Sequence, residues 1–437
     1  MFLLVNDLRG YLELLKEKGW IDVITEPRSL ESLAASMKEQ EKKERTVLFE
    51  NIEGYDCPMV NNLFANRDFL AAAFDCPKED VPLRFAQCYE QRVKPIMVTE
   101  APVQQKIYTG DEINVFRYPF IKHAPRDGGR YISAGIVIAK DPETGVRNCS
   151  INRMQLKGPA HTGFRMSPRQ DLEAYYNKAK AMKKNLEIAV VIGNHPMDLL
   201  AATCGPARDV DELEIAGALR GKPVELIKCL TVDLEVPARA EMVLEGYIVP
   251  DELEDEGPFG DFMEFYVPVM SNNIFHITAI TSRERPILQS IHAGSRDDVT
   301  LLSTPREGVI YSMLKSMNVD VRQVSLQICN NYLTGAAAIR KQLEDEPKNA
   351  MMGAFATFKF LKNFIIVDHD VNVDDPKDLI WAISTRLRAE RGIMVIPNTV
   401  GFGRDEYGIH TAKLGIDATA PLNHWEEFER TGHPLPL

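Results

Sequence analysis

Two carboxylates that could act together, Glu256 and Asp261, lie at the ends of the stretch 256–261, which reads Glu-Gly-Pro-Phe-Gly-Asp. Side chains five positions apart face opposite sides of a strand, and a proline between two glycines disfavours a helix. The stretch is therefore predicted to be a bend that can direct both acids into one cavity. Unlike environments would give one proton donor and one permanent anion. By itself the stretch is better explained as an acidic surface turn, because four other acids stand at positions 251–255.

A second stretch, 148–153, reads Asn-Cys-Ser-Ile-Asn-Arg and offers a polar face beside an arginine. In a strand, Asn148, Ser150 and Asn152 share one face and Arg153 points to the other. Amide and hydroxyl groups suit a phosphate and its metal ion. An arginine close to Glu256 would keep that acid ionised and oriented. Taken alone, the stretch is better explained as a polar strand face with an exposed arginine.

A third group of acids, Asp211, Glu212 and Glu214, stands at the start of a predicted short helix. A carboxylate there could bind a cation that neutralises a cofactor phosphate. The alternative is that these acids only interact favourably with the positive end of the helix dipole, which is common at helix N-termini. The histidines form no H-x-x-H or H-x-H pair, and the common phosphate loops and the G-x-S-x-G elbow are missing from the sequence. A histidine-rich metal site and a serine hydrolase are therefore disfavoured.

Composition limits the class of partner. The chain has 437 residues and a net charge of −12, which argues against nucleic acid or an anionic membrane as the main target. Seven cysteines without a C-x-x-C pair are typical of reduced thiols in a cytosol. No apolar run is long enough to span a bilayer. We therefore expect a cytoplasmic protein with no nucleic-acid and no membrane partner.

The elements that must position these residues change character along the chain. Strands alternate with helices over roughly the first hundred residues, which predicts a small α/β domain. A proline-rich segment, 94–129, leads into mostly antiparallel strands, with a hairpin turn at 141–145. These strands predict a β-barrel or folded sheet. Alternation returns after residue 300, with helices expected at 305–317, 348–361 and 377–388. The stretch from Thr419 is expected to be an arm onto a neighbouring subunit or a frayed end.

The order of the motifs resembles that of the UbiD-type decarboxylases, which use prenylated FMN. The resemblance rests on Asn148-x-Ser-Ile-x-Arg153, Glu212, the runs 233–237 and 241–246, and the bend 256–261. It continues through 351–353, 371–372 and 378–386, so it covers most of the chain, and the first hundred residues match least distinctly. It implies an α+β fold with three domains. These are an N-terminal α/β domain (1–105), a central split β-barrel flavin-binding domain (106–300) and a C-terminal α/β oligomerisation domain (301–437).

The resemblance also implies roles for individual residues. Arg153, Glu256 and Asp261 match the catalytic network, with Asp261 at the position of the proton donor, where an aspartate in place of glutamate is a variation within the family. Asn148 and Glu212 match ligands of a divalent ion, Mn²⁺ or Mg²⁺. Gln170 stands where some members have a metal-binding histidine and is the expected third metal ligand, although glutamine binds metal ions more weakly than histidine. A potassium ion is expected at backbone carbonyls near residues 202–204.

The residues that the resemblance places at the cofactor form a longer set. They are Asn148, Ser150, Ile151, Asn152, Arg153, Arg169, Gln170, Ala202, Thr203, Cys204 and Lys362, with Lys359 as the alternative to Lys362. A separate flavin prenyltransferase would supply the prenylated FMN. The chain would form a homodimer or a hexamer, as members of the family do.

The implied activity is the reversible decarboxylation of an aromatic or heteroaromatic carboxylic acid, a carboxy-lyase reaction. His292, Arg296 and Arg306 lie in a polar segment that would suit a second carboxylate or a polar ring. A furan dicarboxylate or a pyrrole carboxylate would fit, although surface or subunit contacts explain these three side chains equally well. The alternatives are a 4-hydroxybenzoate-type (polyprenyl) decarboxylase, a conventional FMN oxidoreductase on a similar barrel, and a non-catalytic assembly protein.

Overall fold

The computed structural model describes residues 5–168, 170–329, 331–405 and 408–431. For residues 402–405 and 408–411 it describes the backbone alone. The chain divides into two compact units, Met1–Lys78 with Gln87–Leu301, and Glu79–Ala86 with Leu302–Leu437. None of the helices in the described ranges combines the length and the apolar character that crossing a membrane requires.

The first elements alternate between helices and strands, as the sequence predicts. They are α1 (Leu8–Glu17), β1 (Ile21–Ile24), α2 (Leu33–Lys42), β2 (Thr46–Phe49), β3 (Met59–Asn61), α3 (Arg67–Phe74) and α4 (Val81–Glu90). Asp7 caps α1 by accepting a hydrogen bond from the Gly10 amide at 2.9 Å. The apolar face of α1, which includes Leu12 and Leu15, is buried.

The following strands and helices supply the region that carries the candidate site. They are β4 (Ile96–Met97), β5 (Lys106–Thr109), β6 (Tyr131–Ile132), β7 (Ile136–Lys140), β8 (Arg147–Ile151), β9 (Met154–Gly158), β10 (His161–Phe164), α5 (Asp171–Ala181), β11 (Leu186–Ile192), α6 (Pro196–Cys204), α7 (Glu212–Arg220), β12 (Glu225–Lys228), β13 (Glu235–Pro237), β14 (Met242–Glu256), β15 (Phe259–Gly260), β16 (Tyr266–Val267), β17 (Met270–Ser282) and β18 (Leu288–Gln289).

A curled half-barrel sheet of nine strands dominates this region. Its order is β6-β9-β10-β17-β14-β11-β7-β8, with β5 paired on β17. The longest pairing joins β14 and β17, which are antiparallel and extend from Met242 opposite Ser282 to Glu256 opposite Met270. The predicted hairpin turn joins β7 to β8, where the Gly145 amide donates to Asp141 O at 2.8 Å. A smaller sheet, β1-β2-β3-β18, shares the same hydrophobic core.

The second unit is built on a five-stranded sheet. Its elements are α8 (Arg296–Ser316, which begins in the first unit), β19 (Val321–Ser325), β20 (Thr334–Ile339), α9 (Glu346–Thr357), β21 (Asn363–Asp368), α10 (Pro376–Arg386), α11 (Ala389–Gly392), β22 (Ile393–Asp405), β23 (Gly408–Ala418) and α12 (Trp425–Phe428). The strand order is β19-β20-β21-β23-β22, with β20, β21 and β23 parallel.

The largest difference between a predicted and an observed helix boundary is at α8. The sequence places a helix start at Pro305, but α8 begins at Arg296 and continues through that proline. Asp297 and Asp298 lie in its first turn, where acidic side chains interact favourably with the positive end of the helix dipole. The pattern of alternating elements around an antiparallel central sheet confirms the expected α+β class.

Candidate active site

The centre of the candidate site is a paired arginine and glutamate. Arg153 follows the end of β8, and Glu256 is the last residue of β14, 103 positions later. The Arg153 Nε and Nη2 atoms donate to Glu256 Oε1 and Oε2 at 3.1 and 3.0 Å. Asn272 Nδ2 on β17 donates to Oε2 at 2.9 Å. Glu256 is fully buried. Its carboxylate accepts three hydrogen bonds, and these fix its position.

Aromatic rings cover the pair. The Arg153 guanidinium carbon lies 4.5 Å from the centroid of the Phe259 ring, a cation–π distance. The Tyr131 ring packs 4.7 Å from the Phe259 ring, centroid to centroid. Burial raises the pKa of the Tyr131 hydroxyl, and the Glu256 charge raises it further. The rings therefore limit access of water to the guanidinium and carboxylate, which strengthens their attraction.

The stretch 256–261 is a bend, as its glycines and proline predict. After Glu256 the chain turns into the two-residue strand β15, which pairs with β16. Asp261 ends the bend, and its Oδ1 accepts from the amides of Met263 at 3.1 Å and Phe265 at 3.3 Å. The carboxylate thus caps the turn that follows it, and these two hydrogen bonds orient the Asp261 side chain.

The predicted metal ligands Asn148 and Glu212 are in contact. Asn148 Nδ2 lies 3.0 Å from Glu212 Oε1, and the Cys149 amide donates to Oε2 at 2.8 Å. The buried Asn148 Oδ1 has no partner among the described residues. Burial raises the pKa of Glu212 to about 8. One ligand atom each from Cys149, Asp211 and Glu212 lies within 4.8 Å of the others. A carbonyl oxygen beside a buried carboxylate fits a divalent cation, which would satisfy the oxygen and favour the carboxylate form.

Gln170 is placed differently from those two. It is exposed at the start of α5, where its side chain makes no capping hydrogen bond. The neighbouring Asp171 carries a charge that acts on Glu212 and contributes to the raised pKa of that residue. Asp171 Oδ1 accepts from Arg208 Nε at 2.8 Å. The predicted cofactor residue Arg169 lies outside the described residues.

The remaining predicted cofactor residues of the first unit lie on β8, directly after β8, or on α6. Strand β8 and helix α6 pack together. Asn152 Nδ2 donates to Ser150 Oγ at 2.9 Å, so these two residues face the same side, and Ile151 ends the strand. Residues 202–204 form the last turn of α6, which is followed by Gly205 in the left-handed conformation. Carbonyl oxygens at a helix C-terminus carry partial negative charge, and that is compatible with a potassium ion there.

The predicted substrate residues His292 and Arg296 have different surroundings. His292 is buried, with its ring centroid 6.0 Å from that of His123. Arg296 is exposed, forms an ion pair with Glu44, and donates its backbone amide to Glu41 at 2.8 Å.

Arg306, Lys359 and Lys362 belong to the second unit. The Arg306 guanidinium lies 5.7 Å from the Phe358 ring centroid. Lys359 Nζ lies 5.0 Å from the Phe360 ring centroid, and the Lys362 amide donates to Leu333 O at 2.7 Å. Lys362 stays the predicted phosphate ligand, with Lys359 as the alternative.

Sequence reasoning missed several side chains that contact the bend. They are Asp127, Tyr131, Gln155 and Asn272. Gln155 lies two positions after Arg153, so strand periodicity could have placed both on one face. Asp127 precedes two glycines, a turn signature. Asn272 gives no sequence signal, because the pairing of β14 with β17 alone brings it to Glu256.

Comparisons with known proteins agree over almost the whole chain. Three domain families of 3-octaprenyl-4-hydroxybenzoate carboxy-lyase match: the N-terminal domain at residues 12–88, the Rift-related domain at 95–296 and the C-terminal domain at 299–418. Proteins called anhydromevalonate phosphate decarboxylase from Methanothermobacter thermautotrophicus and Methanosarcina mazei are 32% and 33% identical. Each alignment covers 97% of this chain, and 99% and 98% of those relatives.

Solved structures give the same result. The UbiD-class enzyme HmfF from Pelotomaculum thermopropionicum, in complex with FMN, is 36% identical with a TM-score of 0.93. The superposition covers 98% of this chain and 97% of that one. An evolved dimeric form of HmfF, solved with prFMN, is 35% identical with a TM-score of 0.90.

The fold and these similarities define a carboxy-lyase with a three-domain architecture. The chain belongs to the UbiD family of decarboxylases, and the resemblance drawn from its motifs is confirmed.

Proposed function

We propose that this protein catalyses the prenylated-FMN-dependent, reversible decarboxylation of an aromatic or heteroaromatic carboxylic acid. The observation that supports it most is the buried pair of Arg153 and Glu256, at the start of the bend that ends in Asp261. Residues 103 positions apart are joined here by two hydrogen bonds and an aromatic cover. A conventional oxidoreductase would have no need for such a network.

The proposed chemistry divides between cofactor and protein. Loss of CO₂ from an aromatic acid leaves an unstable carbanion, and bound prenylated FMN supplies the electron sink that avoids it. Asp261 gives the proton to the ring carbon that has lost CO₂. Arg153 and Glu256 orient each other and maintain a fixed charge pair beside the reacting carbon. In the reverse direction Asp261 removes that proton.

The cofactor phosphate is proposed to lie near β8 and the start of α7. Asn148 and Glu212 would hold a divalent ion, Mn²⁺ or Mg²⁺, because the unpartnered amide oxygen and the buried carboxylate supply two hard oxygen ligands. The last turn of α6, residues 202–204, would hold a potassium ion. Ser150, Ile151 and Asn152 would contact the cofactor along the strand.

Two substrate classes compete. A furan dicarboxylate or pyrrole carboxylate is the class predicted from the polar sequence around His292. The second class is a phosphorylated acid such as anhydromevalonate phosphate, which is favoured by the names of two relatives that align over 97% of the chain. We also propose a homo-oligomer, since one solved relative is dimeric, and dependence on a separate flavin prenyltransferase.

The test uses protein matured with a flavin prenyltransferase and a panel of acids. The panel contains aromatic and heteroaromatic mono- and dicarboxylates, 4-hydroxybenzoates and anhydromevalonate phosphate, with CO₂ release as readout. For the acid that reacts, Asp261→Asn should lower turnover by about a hundredfold or more, because the proton donor is removed. The prenylated-flavin absorbance should remain.

Asp255→Asn is the matched control, because Asp255 is an exposed acid on β14, directly before the bend. It should keep turnover within about twofold of the native protein, as surface substitutions have small effects. Near-normal turnover of Asp261→Asn, with deuterium entering the product in D₂O, would remove Asp261 from the proton-donor role.

A further inference from the structure

We infer that Asp127 is a positioning residue that fixes the bend 256–261 and thereby places Asp261 for proton transfer. The role of Asp261 in this inference rests on the proposed function. The mechanical part, that Asp127 holds the bend, depends only on the geometry of this chain.

Asp127 joins two loops through one carboxylate. Its Oδ1 accepts from the Gly260 amide at 2.8 Å, immediately before Asp261. Its Oδ2 accepts from the amides of Ala124 at 2.8 Å and His123 at 3.2 Å. The carboxylate is therefore shared between the turn 123–127 and the bend, which lie 133 positions apart at Asp127 and Gly260. Moving either loop breaks a hydrogen bond to the same buried group.

The backbone next to Asp127 makes the contact close. The Gly128 amide donates to Pro258 O at 2.7 Å, and the Gly257 amide donates to Gln155 Oε1 at 2.9 Å. A Cβ atom at Gly128 would lie 2.1 Å from Gly257 O, so only glycine permits this approach. The bend is thus held at both ends, at Gly257 by Gln155 and at Gly260 by Asp127.

A carboxylate suits this position better than an amide. Burial raises the pKa of Asp127, and the hydrogen bonds from the three backbone amides act in the opposite direction. Asparagine has one acceptor oxygen and one NH₂ group, so it can serve only one of the two loops. If its oxygen faces the 123–127 turn, its NH₂ group faces the Gly260 amide and leaves that donor unpaired. An unpaired buried amide is costly, so the bend would open more often.

The consequence for catalysis is specific. Gly260 is directly bonded to Asp261, so a displaced Gly260 amide displaces the proposed proton donor. A shift of about 1 Å in a reacting group can cost about a hundredfold in rate. The Asp127 carboxylate accepts its hydrogen bonds from backbone amides and not from Arg153. Its loss should therefore affect turnover more than binding.

The experiment compares Asp127→Asn and Asp127→Ser with Asp141→Asn. Asp141 is a buried aspartate whose Oδ1 accepts from two backbone amides, of Glu143 and Thr144, in a hairpin turn away from the bend. Backbone hydrogen–deuterium exchange is measured by mass spectrometry on the apo proteins. Both Asp127 variants should exchange about tenfold to a hundredfold faster in peptides covering 256–265. Asp141→Asn should change exchange only around 141–145 and in α5, where Lys178 Nζ donates to Asp141 Oδ2 at 2.7 Å.

Kinetics on the prenylated-FMN-loaded protein provide the second readout. Asp127→Asn should lower kcat by about tenfold or more while KM and FMN affinity change by less than about threefold. Unchanged exchange at 256–265 in both Asp127 variants would overturn the inference, as would a kcat equal to that of Asp141→Asn. Faster exchange in a protein that decarboxylates no acid would support the mechanical role and refute the proposed function. Exchange that rises equally over the whole chain would show a general folding role and would also overturn the inference.

Discussion

At the residue scale, the region beside the bend contains two buried histidines that are uncharged at neutral pH. Burial lowers the pKa of His123 to about 3 and that of His292 to about 4. His123 Nε2 lies 2.8 Å from Ser290 Oγ and 3.1 Å from Ser133 Oγ. Neutral imidazoles can exchange hydrogen bonds with a substrate but supply no positive charge. A second substrate carboxylate would need another cation, and Arg296 is already paired with Glu44.

The titration of His123 predicts a loss of stability in acid. Histidine in the unfolded chain takes up a proton near pH 6.5, whereas His123 in the folded protein takes one up only near pH 3, at its lowered pKa. Over that window the unfolded state binds more protons, so stability is fully present above pH 6.5 and falls as the pH is lowered. His123→Gln should flatten the slope by up to about 1.4 kcal/mol per pH unit.

The measurement is urea unfolding at pH 7, 6 and 5. His424→Gln is the control, because that histidine is exposed. Equal slopes for the native protein and His123→Gln would contradict the prediction.

At the element scale, the site depends on the pairing of distant strands. The pairing of β14 with β17 brings Asn272 to Glu256, and Arg153, between β8 and β9, reaches the same carboxylate. The loop 123–129 then packs against the bend that follows β14. Each element contributes one or two side chains, so the geometry of the site is set by how the half-barrel closes on its neighbouring loops.

Gly128→Ala tests the close approach of these loops. The added Cβ would meet Gly257 O at 2.1 Å and the Gly257 carbonyl carbon at 2.6 Å, both backbone atoms, so the loops must separate. Such overpacking should lower the free energy of unfolding by about 1–3 kcal/mol. Chemical denaturation measures it, and Gly10→Ala is the control, since its Cβ would meet nothing closer than 3.6 Å. A Gly128→Ala protein as stable as Gly10→Ala would refute the steric argument.

At the scale of the whole molecule, the end of the described chain is attached to its own unit. The sequence left a subunit arm and a frayed end as alternatives for this stretch. Arg386 donates to Phe428 O at 2.9 Å, to Asp368 at 2.9 Å and to both Asp370 oxygens at 2.7 Å. Its guanidinium also lies 5.3 Å from the Trp425 ring centroid. One buried arginine therefore connects α10, the end of β21 and α12.

Arg386→Met should release this terminal segment. Removing the buried cation leaves Asp368 and Asp370 without their shared partner, which should cost about 3–5 kcal/mol. Limited proteolysis should then cleave the chain after Ala418 much faster than in the native protein. Arg322→Met is the control, because the Arg322 side chain is half exposed and forms its ion pair with Asp320, two positions away. Equal cleavage rates for the two variants would contradict the role assigned to Arg386.

The sequence by itself determined the family, the α+β class and the bend at 256–261, because motif order, element periodicity and glycine–proline turns are local properties of the chain. It also identified Asn148 with Glu212 and Arg153 with Glu256 as pairs to expect. Tertiary structure alone decided that Asn272 reaches Glu256, that Asp127 holds Gly260 and that Arg296 turns to Glu44. These contacts join residues up to 252 positions apart. They depend on strand register and loop packing, and no local pattern encodes which distant partners those bring together.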